Sequence, residues 1–357
     1  MPHLVIMAAG TGGHIIPGIA VAREVQRRGW TVSWMGTTTG MENKLVPPTR
    51  IPLDRLAFSG LRGKGLWHAA TGGLKLIKAC FQAAGILRQR GAHAVLGMGG
   101  YVCFPGGLMA WLLRKPLMLV NADAALLLSN KALLPLAARV AFGFDGPASH
   151  IKNGLVTGNP VRAEIESIAA PAVRYAGRSG PLKLLVVGGS LGAQVLNATV
   201  PAAVALLAPD ARPQIVHQTG TSQLGAVRAA YAQAGIQAEV LPFIDNMAER
   251  LSACDLIVCR AGAVTVSELC AAGVPSLLVP LVISTTAHQR DNAQYMAGFG
   301  AALHLPQAGL TAATLAEQLT KLDRTSLLAM AERARALAKP QAAARVADAL
   351  EKLVNRT

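Results

Sequence analysis

Residues 4–18 read LVIMAAGTGGHIIPG, an apolar run that breaks into a glycine-rich turn and passes through a histidine. A second stretch of the same kind, LLVVGGSLGA, occupies residues 184–193. Glycine lets the backbone approach a ligand closely, and a helix that follows such a turn offers unpaired N–H groups. One such unit in each half predicts two nucleotide-fold domains that face a shared cleft, with the chemistry placed at His14.

The length and composition fit this arrangement. The chain has 357 residues, of which 52% are hydrophobic and only 4% aromatic, so each half can bury a core. The low aromatic content argues against a protein that stacks nucleic-acid bases. Alternating strand-like and helix-like runs predict a doubly wound parallel sheet in each half. Strands are expected at residues 4–8, 31–35, 51–57, 94–98, 116–120, 139–142, 155–157, 183–187, 214–218, 240–244, 256–259 and 276–280.

Three further segments complete the predicted organisation. The first helix is expected at residues 19–28, after the glycines and Pro17. Residues 165–181 are rich in Ala, Pro, Gly and Ser and are typical of a linker with a hinge role. The last helix is expected at residues 342–354.

The positive charge is concentrated in the front half. Residues 1–162 hold 18 Lys and Arg against 5 Asp and Glu, a balance of +13, whereas residues 163–357 hold 16 against 14. A basic face favours anionic lipid headgroups, nucleic acid or a phosphorylated substrate. The alternative is a solvated face that only keeps the protein soluble.

The cysteines and the apolar stretches bear on location. The five cysteines show no CxxC or Cys/His ligand spacing, which favours buried thiols in a reducing compartment. The N-terminus lacks the basic segment of a signal peptide. The longest apolar stretches, residues 101–113 and 269–283, are short or interrupted, so neither is expected to span a bilayer. We therefore expect a cytoplasmic protein that is at most peripheral to a membrane.

The first glycine turn argues against two common nucleotide sites. It lacks the Lys-Ser/Thr ending of a phosphate-binding Walker loop. Ile15 stands where a dinucleotide fingerprint has its third glycine, and no acidic residue ends the second strand, so an NAD site is disfavoured. His14 is either a residue at the helix start or a neutral base, because the helix dipole disfavours its cation.

Other loops add groups that suit a diphosphate. GMGGY at residues 97–101 and the basic, glycine-rich residues 59–65 are expected at the ligand-binding end of the first sheet. In the back half, residues 259–268 follow a strand and open a helix. Its first N–H groups and Arg260 can hold a diphosphate, and Glu268 can accept from two ribose hydroxyls. The alternative for Glu268 is a buried, paired carboxylate.

These motifs together resemble the MurG family, bacterial transferases that move N-acetylglucosamine from UDP-GlcNAc to a lipid-linked peptidoglycan precursor. The resemblance runs through nearly the whole chain and is carried by residues 10–14, 97–101, 158–162, 188–193 and 260–268. It implies a GT-B fold, with two Rossmann-like doubly wound parallel-sheet domains facing a cleft. The domains implied are an acceptor and membrane-associating domain at 1–162, a donor domain at 163–340 and a returning helix at 341–357.

The resemblance also implies roles for individual residues. The backbone of Ile244 would contact uracil, and Gln289 would contact the GlcNAc hydroxyls. Arg162 would close on the donor from the front domain, and His14 would act as the base or contact the diphosphate. The remaining donor contacts implied are Thr11, Gly12, Gly13, Ser190, Ala263, Val264, Thr265, Val266, Ser267 and Glu268.

One segment departs from the family pattern. Many members read His-Glu-Gln-Asn where this chain reads Val-Asn-Ala-Asp at residues 120–123, so the asparagine that contacts the sugar falls on Asp123. An ionised carboxylate cannot donate a hydrogen bond, so Asp123 would contact a hydroxyl or the base. Asp123 is therefore a second candidate base.

A membrane face is expected on the helix near residues 74–90. An apolar stripe with basic neighbours can lie in an anionic lipid interface, although such a stripe more often faces a core. The candidate residues are Trp67, Leu74, Lys75, Ile77, Lys78, Phe81 and Trp111.

The resulting hypothesis is an inverting transfer of GlcNAc to the 4-hydroxyl of undecaprenyl-pyrophosphoryl-MurNAc-pentapeptide at the cytoplasmic face of the inner membrane. No cofactor and no metal are expected, and no Asp-x-Asp occurs in the chain. The expected partners are UDP-GlcNAc, the lipid-linked acceptor, the anionic membrane and cell-wall synthesis proteins, with no nucleic acid. Three alternatives stay open: a GT-B enzyme with another lipid acceptor, a basic nucleic-acid-binding module and an NAD-linked oxidoreductase.

Overall fold

The chain folds into two compact units. The computed structural model describes residues 1–58, 66–146, 149–189, 192–281 and 288–355, and within them the side chains other than those of 66–71, 128 and 129. The first unit comprises Met1–Val161 and Pro340–Thr357, and the second comprises Arg162–Lys339. The C-terminal residues therefore belong to the first unit.

The first unit is built on a seven-stranded parallel sheet with the order β3-β2-β1-β4-β5-β6-β7. The order reverses at β1 and β4, and ligands of such sheets bind where two strands diverge in this way, beyond their carboxyl ends. The strands are β1 (His3–Ala8), β2 (Thr31–Thr37), β3 (Leu53–Leu56), β4 (Ala94–Gly99), β5 (Leu117–Asn121), β6 (Arg139–Phe142) and β7 (Gly154–Val156).

Helices cover both faces of this sheet. Leu4 and Ile6 of β1 pack with the first and last helices, whereas Val5 and Met7 pack with the third and fourth helices on the opposite face. This alternation follows from the two-residue period of a strand, and burial of both faces explains the continuous apolar run. The helices of the first unit are α1 (Gly12–Arg27), α2 (Glu42–Leu45), α3 (Leu66–Gln89), α4 (Cys103–Leu112), α5 (Leu128–Leu133) and α15 (Ala342–Val354).

The second unit repeats the scheme with a six-stranded parallel sheet of order β10-β9-β8-β11-β12-β13. Its order reverses at β8 and β11. The strands are β8 (Lys183–Val187), β9 (Gln214–Gln218), β10 (Ala238–Leu241), β11 (Leu256–Cys259), β12 (Ser276–Leu278) and β13 (Ala302–His304). The helices are α6 (Ala163–Glu166), α7 (Pro171–Tyr175), α8 (Gln194–Ala205), α9 (Leu224–Gln233), α10 (Met247–Ala253), α11 (Ala263–Ala272), α12 (His288–Gly298), α13 (Ala312–Thr320) and α14 (Arg324–Ala336).

The two Rossmann-like parallel sheets confirm the predicted fold class. The expected linker at residues 165–181 is wrong, because this segment packs into the second unit. Arg174 is buried there and donates to the carbonyl oxygens of Ala272 and Gly273 at the end of α11. The Tyr175 hydroxyl donates to the Asp255 carbonyl at 2.6 Å. These buried bonds fix the segment, so its small-residue composition does not produce a hinge.

Candidate functional site

The first glycine turn lies between β1 and α1, at the reversal point of the first sheet. Gly10 has φ +97°, a conformation that favours glycine, and Thr11 is the N-cap residue of α1. The helix begins at Gly12, seven residues before the predicted start. Gly12 and Gly13 therefore lie in the first helical turn, where backbone N–H groups have no helical acceptor.

His14 lies in this first turn rather than at a loop tip. Its Nδ1 is 3.4 Å from the Ala9 carbonyl oxygen, which can only accept, so the hydrogen is on Nδ1 and Nε2 keeps its lone pair. The ring packs against Gly99, where an added Cβ would meet His14 Nε2 at 2.8 Å. Burial lowers the pKa of His14, so its imidazole is neutral near pH 7. A neutral ring with an accepting Nε2 can serve as a general base.

Asp123 follows β5 and interacts electrostatically with His14. Its carboxylate acts to raise the pKa of His14, against the stronger effect of burial. The loop that carries Asp123 is held by Asn121, whose Nδ2 donates to the Asp123 carbonyl at 2.8 Å. Asn130 in turn donates to Asn121 Oδ1 at 3.1 Å. The structure therefore places the two candidate bases within electrostatic range of each other.

The second unit contains a cavity of about 770 Å³ at its own reversal point, between the turns that follow β8 and β11. The cavity lies at the starts of α8 and α11, so two helix N-termini are close to it. Helix N-termini favour anions. Its walls are Gly188, Gly189, Gly192, Ala193, Gln194, Val195, Ala198, Thr199, Arg260, Gly262, Thr265, Leu281, Gln289 and Gln307.

Arg260 is held in this wall by two acceptors. Its Nη1 donates to the Val279 carbonyl at 3.0 Å and to Gln307 Oε1 at 2.8 Å. Burial lowers the pKa of Arg260, although a guanidinium stays charged. The arrangement presents a fixed cation to the cavity, which suits a phosphate or diphosphate.

The start of α11 carries the other residues expected for the donor. Gly262 is the N-cap, and the first intrahelical bond runs from the Val266 N–H to the Gly262 carbonyl at 2.9 Å. The N–H groups of Ala263, Val264 and Thr265 therefore precede the helical ladder. Val266 is buried in the unit.

Two polar side chains of α11 already have protein partners. The Ser267 hydroxyl donates to the Ala263 carbonyl oxygen at 2.9 Å. Glu268, one turn further on than Thr265, is paired with Arg162, whose Nε donates to Glu268 Oε1 at 2.8 Å. Arg162 was expected as the last residue of the first domain, but it lies in the second unit, which begins with it.

The remaining donor candidates also have protein partners. Gln218 Oε1 accepts from the backbone N–H of Ile244 at 3.1 Å, and Gln289 Oε1 accepts from the Leu281 N–H at 2.9 Å. A uracil that bound the Ile244 N–H would have to displace Gln218. Ser190 lies outside the described residues.

The expected membrane face is exposed. The side chains of Leu74, Ile77 and Phe81 are 70%, 55% and 74% exposed, and Trp111 of α4 is 50% exposed. Ala79, Ala83 and Leu87 of α3 are buried instead. The stripe therefore does not face the core. Lys75 and Lys78 lie exposed beside it, and the Trp67 side chain is outside the described set.

Sequence reasoning missed three polar residues of these sites: Glu42, Gln218 and Gln307. Glu42 is buried beside Gly10, and its position after β2 in a half with few acids was the available signal. Gln218 ends β9, and Gln307 follows β13, a strand that was not predicted. Glutamines in loops carry no local pattern that marks them as partners of a distant arginine or backbone N–H.

Neither a metal-binding cluster nor a membrane-spanning helix occurs in the described part of the chain. Across the described residues, no three His, Cys, Asp or Glu side chains are grouped so that they could hold a metal ion. None of the described helices is long and apolar enough to cross a bilayer. The five cysteines are all unbridged, with Cys80 partly buried and the other four buried.

Comparison with known proteins identifies the family. Residues 4–142 match the glycosyltransferase family 28 N-terminal domain, and residues 183–352 match its C-terminal domain. A Methylibium petroleiphilum protein named UDP-N-acetylglucosamine--N-acetylmuramyl-(pentapeptide) pyrophosphoryl-undecaprenol N-acetylglucosamine transferase is 67% identical over 99% of this chain and 98% of that protein. A protein of the same name from Chromobacterium violaceum is 64% identical over 98% of each.

A solved structure agrees with these relatives. The crystal structure of Acinetobacter baumannii MurG matches with a TM-score of 0.86 and 38% identity, covering 99% of this chain and 100% of that one. The matched domains, the full-length identity and the shared fold agree with the glycine turns and the donor-type cavity described above. The chain therefore belongs to glycosyltransferase family 28 and, within it, to the MurG family.

Proposed function

We propose that this chain transfers N-acetylglucosamine from UDP-GlcNAc to the 4-hydroxyl of undecaprenyl-pyrophosphoryl-MurNAc-pentapeptide, the step that completes the lipid-linked peptidoglycan precursor. The full-length relatives at 67% and 64% identity bear the name of this activity. The main structural support is the cavity of the second unit, where two helix N-termini and the guanidinium of Arg260 suit a diphosphate.

The donor is proposed to bind in this cavity. The N–H groups at the start of α11 and the guanidinium of Arg260 would hold the diphosphate, and Glu268 would accept from the ribose hydroxyls. Gln289, which lines the cavity, would contact the sugar hydroxyls. These groups would stabilise negative charge as UDP leaves, without a metal ion.

His14 is proposed as the general base. The acceptor hydroxyl gives its proton to Nε2, its oxygen forms a bond to the anomeric carbon, and the bond from that carbon to the diphosphate oxygen breaks, with inversion. The lowered pKa of His14 favours this role because the ring is neutral before reaction. Asp123 is the alternative base, because its carboxylate lies close enough to His14 to interact with it electrostatically.

The activity is tested by UDP release from UDP-GlcNAc with the lipid-linked muramyl-pentapeptide as acceptor. Turnover that persists in EDTA and falls steeply in His14→Ala would support the transferase, its independence of metal and the role of His14. Saturable UDP-GlcNAc binding without turnover would point to a GT-B enzyme with another lipid acceptor. Loss of turnover in EDTA would refute the metal-free mechanism.

A peripheral membrane location is proposed from the exposed stripe. Leu74, Ile77, Phe81 and Trp111 place apolar side chains in solvent, with Lys75 and Lys78 beside them. Such a surface fits the interface of an anionic bilayer, which we place at the cytoplasmic face of the inner membrane.

Vesicle flotation tests this location. Because each lysine near an anionic surface contributes about 1 kcal/mol, Lys75→Glu/Lys78→Glu is expected to weaken binding to anionic vesicles by at least about tenfold. The matched control is Lys321→Glu/Lys352→Glu, which makes the same charge change at two other exposed lysines. Lys321 directly follows α13, and Lys352 lies in α15. Equal binding by both double variants would refute the assignment of this face.

A further inference from the structure

Glu42 is a buried acid at the ligand-binding edge of the first sheet. It begins the short helix α2, five residues after β2 ends at Thr37, and its side chain is fully buried. The first 162 residues hold only 5 acidic residues. A buried carboxylate is costly unless it is fully hydrogen-bonded, so its partners indicate what it does.

Both carboxylate oxygens of Glu42 accept hydrogen bonds. Oε2 accepts from the backbone N–H of Gly10 at 3.0 Å. Oε1 accepts from the backbone N–H of Thr37 and from the Thr37 hydroxyl, each at 2.6 Å. These bonds outweigh burial, which acts in the opposite direction, and hold the pKa of Glu42 below its usual value. The side chain is therefore an anion in the folded protein.

The same segment also holds the other backbone group of Gly10. The Met41 N–H donates to the Gly10 carbonyl at 3.2 Å. The peptide groups on both sides of Gly10, which has φ +97°, are thus tied to residues 41 and 42. Gly36 allows this approach, because a Cβ there would lie 2.6 Å from Glu42 Cγ.

Gly10 is the residue from which the catalytic turn starts. Thr11, Gly12, Gly13 and His14 follow it directly, and Ala9, which precedes it, accepts from His14 Nδ1. A shift of Gly10 therefore moves both the His14 ring and the carbonyl that fixes its tautomer. Displacements of about 1 Å in a reacting group can cost about 100-fold in rate.

We propose that Glu42 is a positioning residue of the transferase, which acts through Gly10 to fix the first glycine turn and the His14 imidazole. The proposal rests on the transferase activity and on His14 as base. Because the Glu42 side chain is fully buried, it would act through the turn and not on the substrate directly. Its function is to prevent the turn from relaxing out of the conformation that presents Nε2.

The principal test is Glu42→Gln, in which an amide NH₂ replaces one acceptor and faces a backbone N–H. We expect kcat to fall by about 10- to 100-fold in folded protein at saturating substrates. The dissociation constant of UDP alone should change less than kcat does, because the residues that line the cavity, including Arg260, belong to the second unit. The apparent pKa of the acid limb of the kcat–pH profile should rise towards the ordinary imidazole value, because a looser turn leaves His14 less desolvated.

The matched control is Asp255→Asn. Asp255 is also fully buried and accepts from a backbone N–H, that of Lys183 at 2.9 Å, and from Arg178 at 2.6 Å. It lies at the start of β11, the end of its sheet opposite the cavity. This variant should lose stability, while its kcat and its pH profile stay within about twofold of the parent.

The outcomes separate the proposal from the proposed function. An unchanged kcat and pH limb in folded Glu42→Gln, with only a lower melting temperature, would overturn the positioning role. If Glu42→Gln does not fold, Thr37→Val removes one of the three donors and should lower kcat about 3- to 10-fold; an unchanged value would overturn the proposal equally. A parent protein without transferase activity would refute the proposed function instead.

Discussion

Arg162 and Glu268 form an ion pair in which the guanidinium Nε lies 2.8 Å from carboxylate Oε1. Burial raises the pKa of Glu268, and the hydrogen bond and charge of Arg162 oppose that rise. The pair thus helps to keep the carboxylate ionised on the second turn of α11. An ionised carboxylate offers acceptors only, which is what two ribose hydroxyls require.

Arg162→Met is therefore expected to make nucleotide binding sensitive to pH. Without the cation, the pKa of Glu268 rises further, so protonation and loss of UDP affinity begin at a higher pH than in the parent. Calorimetric titration with UDP, repeated from neutral pH downwards, measures this shift. Glu164→Gln is the control. Glu164 is an exposed acid that itself raises the pKa of Glu268, so in this variant UDP affinity should be lost at a lower pH than in the parent. Identical pH dependence in all three proteins would contradict the prediction.

Gln307 is expected to act on the donor through Arg260. Gln307→Ala removes the 2.8 Å bond to Nη1 and leaves the guanidinium with the Val279 carbonyl. We expect kcat/KM for UDP-GlcNAc to fall about tenfold, against about 100- to 1000-fold for Arg260→Ala, which removes the cation itself. Steady-state kinetics test this, with the exposed Gln214→Ala at the far end of β9 as control. A loss in the control as large as in Gln307→Ala would show that the effect is not local.

The strands were predictable where apolar runs meet clear turns. β6, β8, β9 and β11 have the predicted bounds, because each is a largely buried stretch that is followed by a glycine or a polar residue. β10 was predicted at residues 240–244 but spans Ala238–Leu241, because Pro242 has no N–H to donate to a neighbouring strand. β13 was missed: of its three residues only Ala302 is buried, whereas the equally short β12 is buried throughout.

The start of α1 shows what sequence reasoning could not weigh. Glycines and a proline between residues 10 and 18 disfavour a helix, yet the helix begins at Gly12. Tertiary packing overrides propensity here: Ile15 and Pro17 are buried, and Gly18 lies against the Trp34 ring, where a Cβ would come within 2.7 Å. The roles of Glu42 and Gln307 likewise depend on contacts with Gly10 and Arg260, which lie far from them in the sequence.

His217 is expected to make the second unit sensitive to acid. It is buried, its Nε2 donates to Asn197 Oδ1 at 3.1 Å, and its Nδ1 accepts from the Tyr231 hydroxyl at 3.0 Å. Burial lowers the pKa of His217 to about 4. The unfolded chain binds this proton near pH 6.5 and the folded chain does not, so stability is present above that pH and is lost as pH falls towards 4.

The expected loss of unfolding free energy over this interval is about 3 kcal/mol. Denaturant unfolding of His217→Gln should give a lower free energy of unfolding at neutral pH but a flatter dependence on pH than the parent. His150→Gln, at an exposed histidine, should keep the parent's slope. Equal slopes for the parent and His217→Gln would contradict the assignment.

The pH profile of transfer separates the two candidate bases. Because burial lowers the pKa of His14, activity limited by its neutral form should persist below pH 6.5 and fall only at more acidic pH. Asp123→Asn removes a charge that raises the pKa of His14, so the acid limb should move to still lower pH while most of kcat remains. His14→Ala should lose about 100- to 10,000-fold. If Asp123 is the base, the opposite result is expected. Asp123→Asn then abolishes transfer, whereas His14→Ala keeps a measurable rate, and the acid limb of its pH–rate profile matches that of the parent.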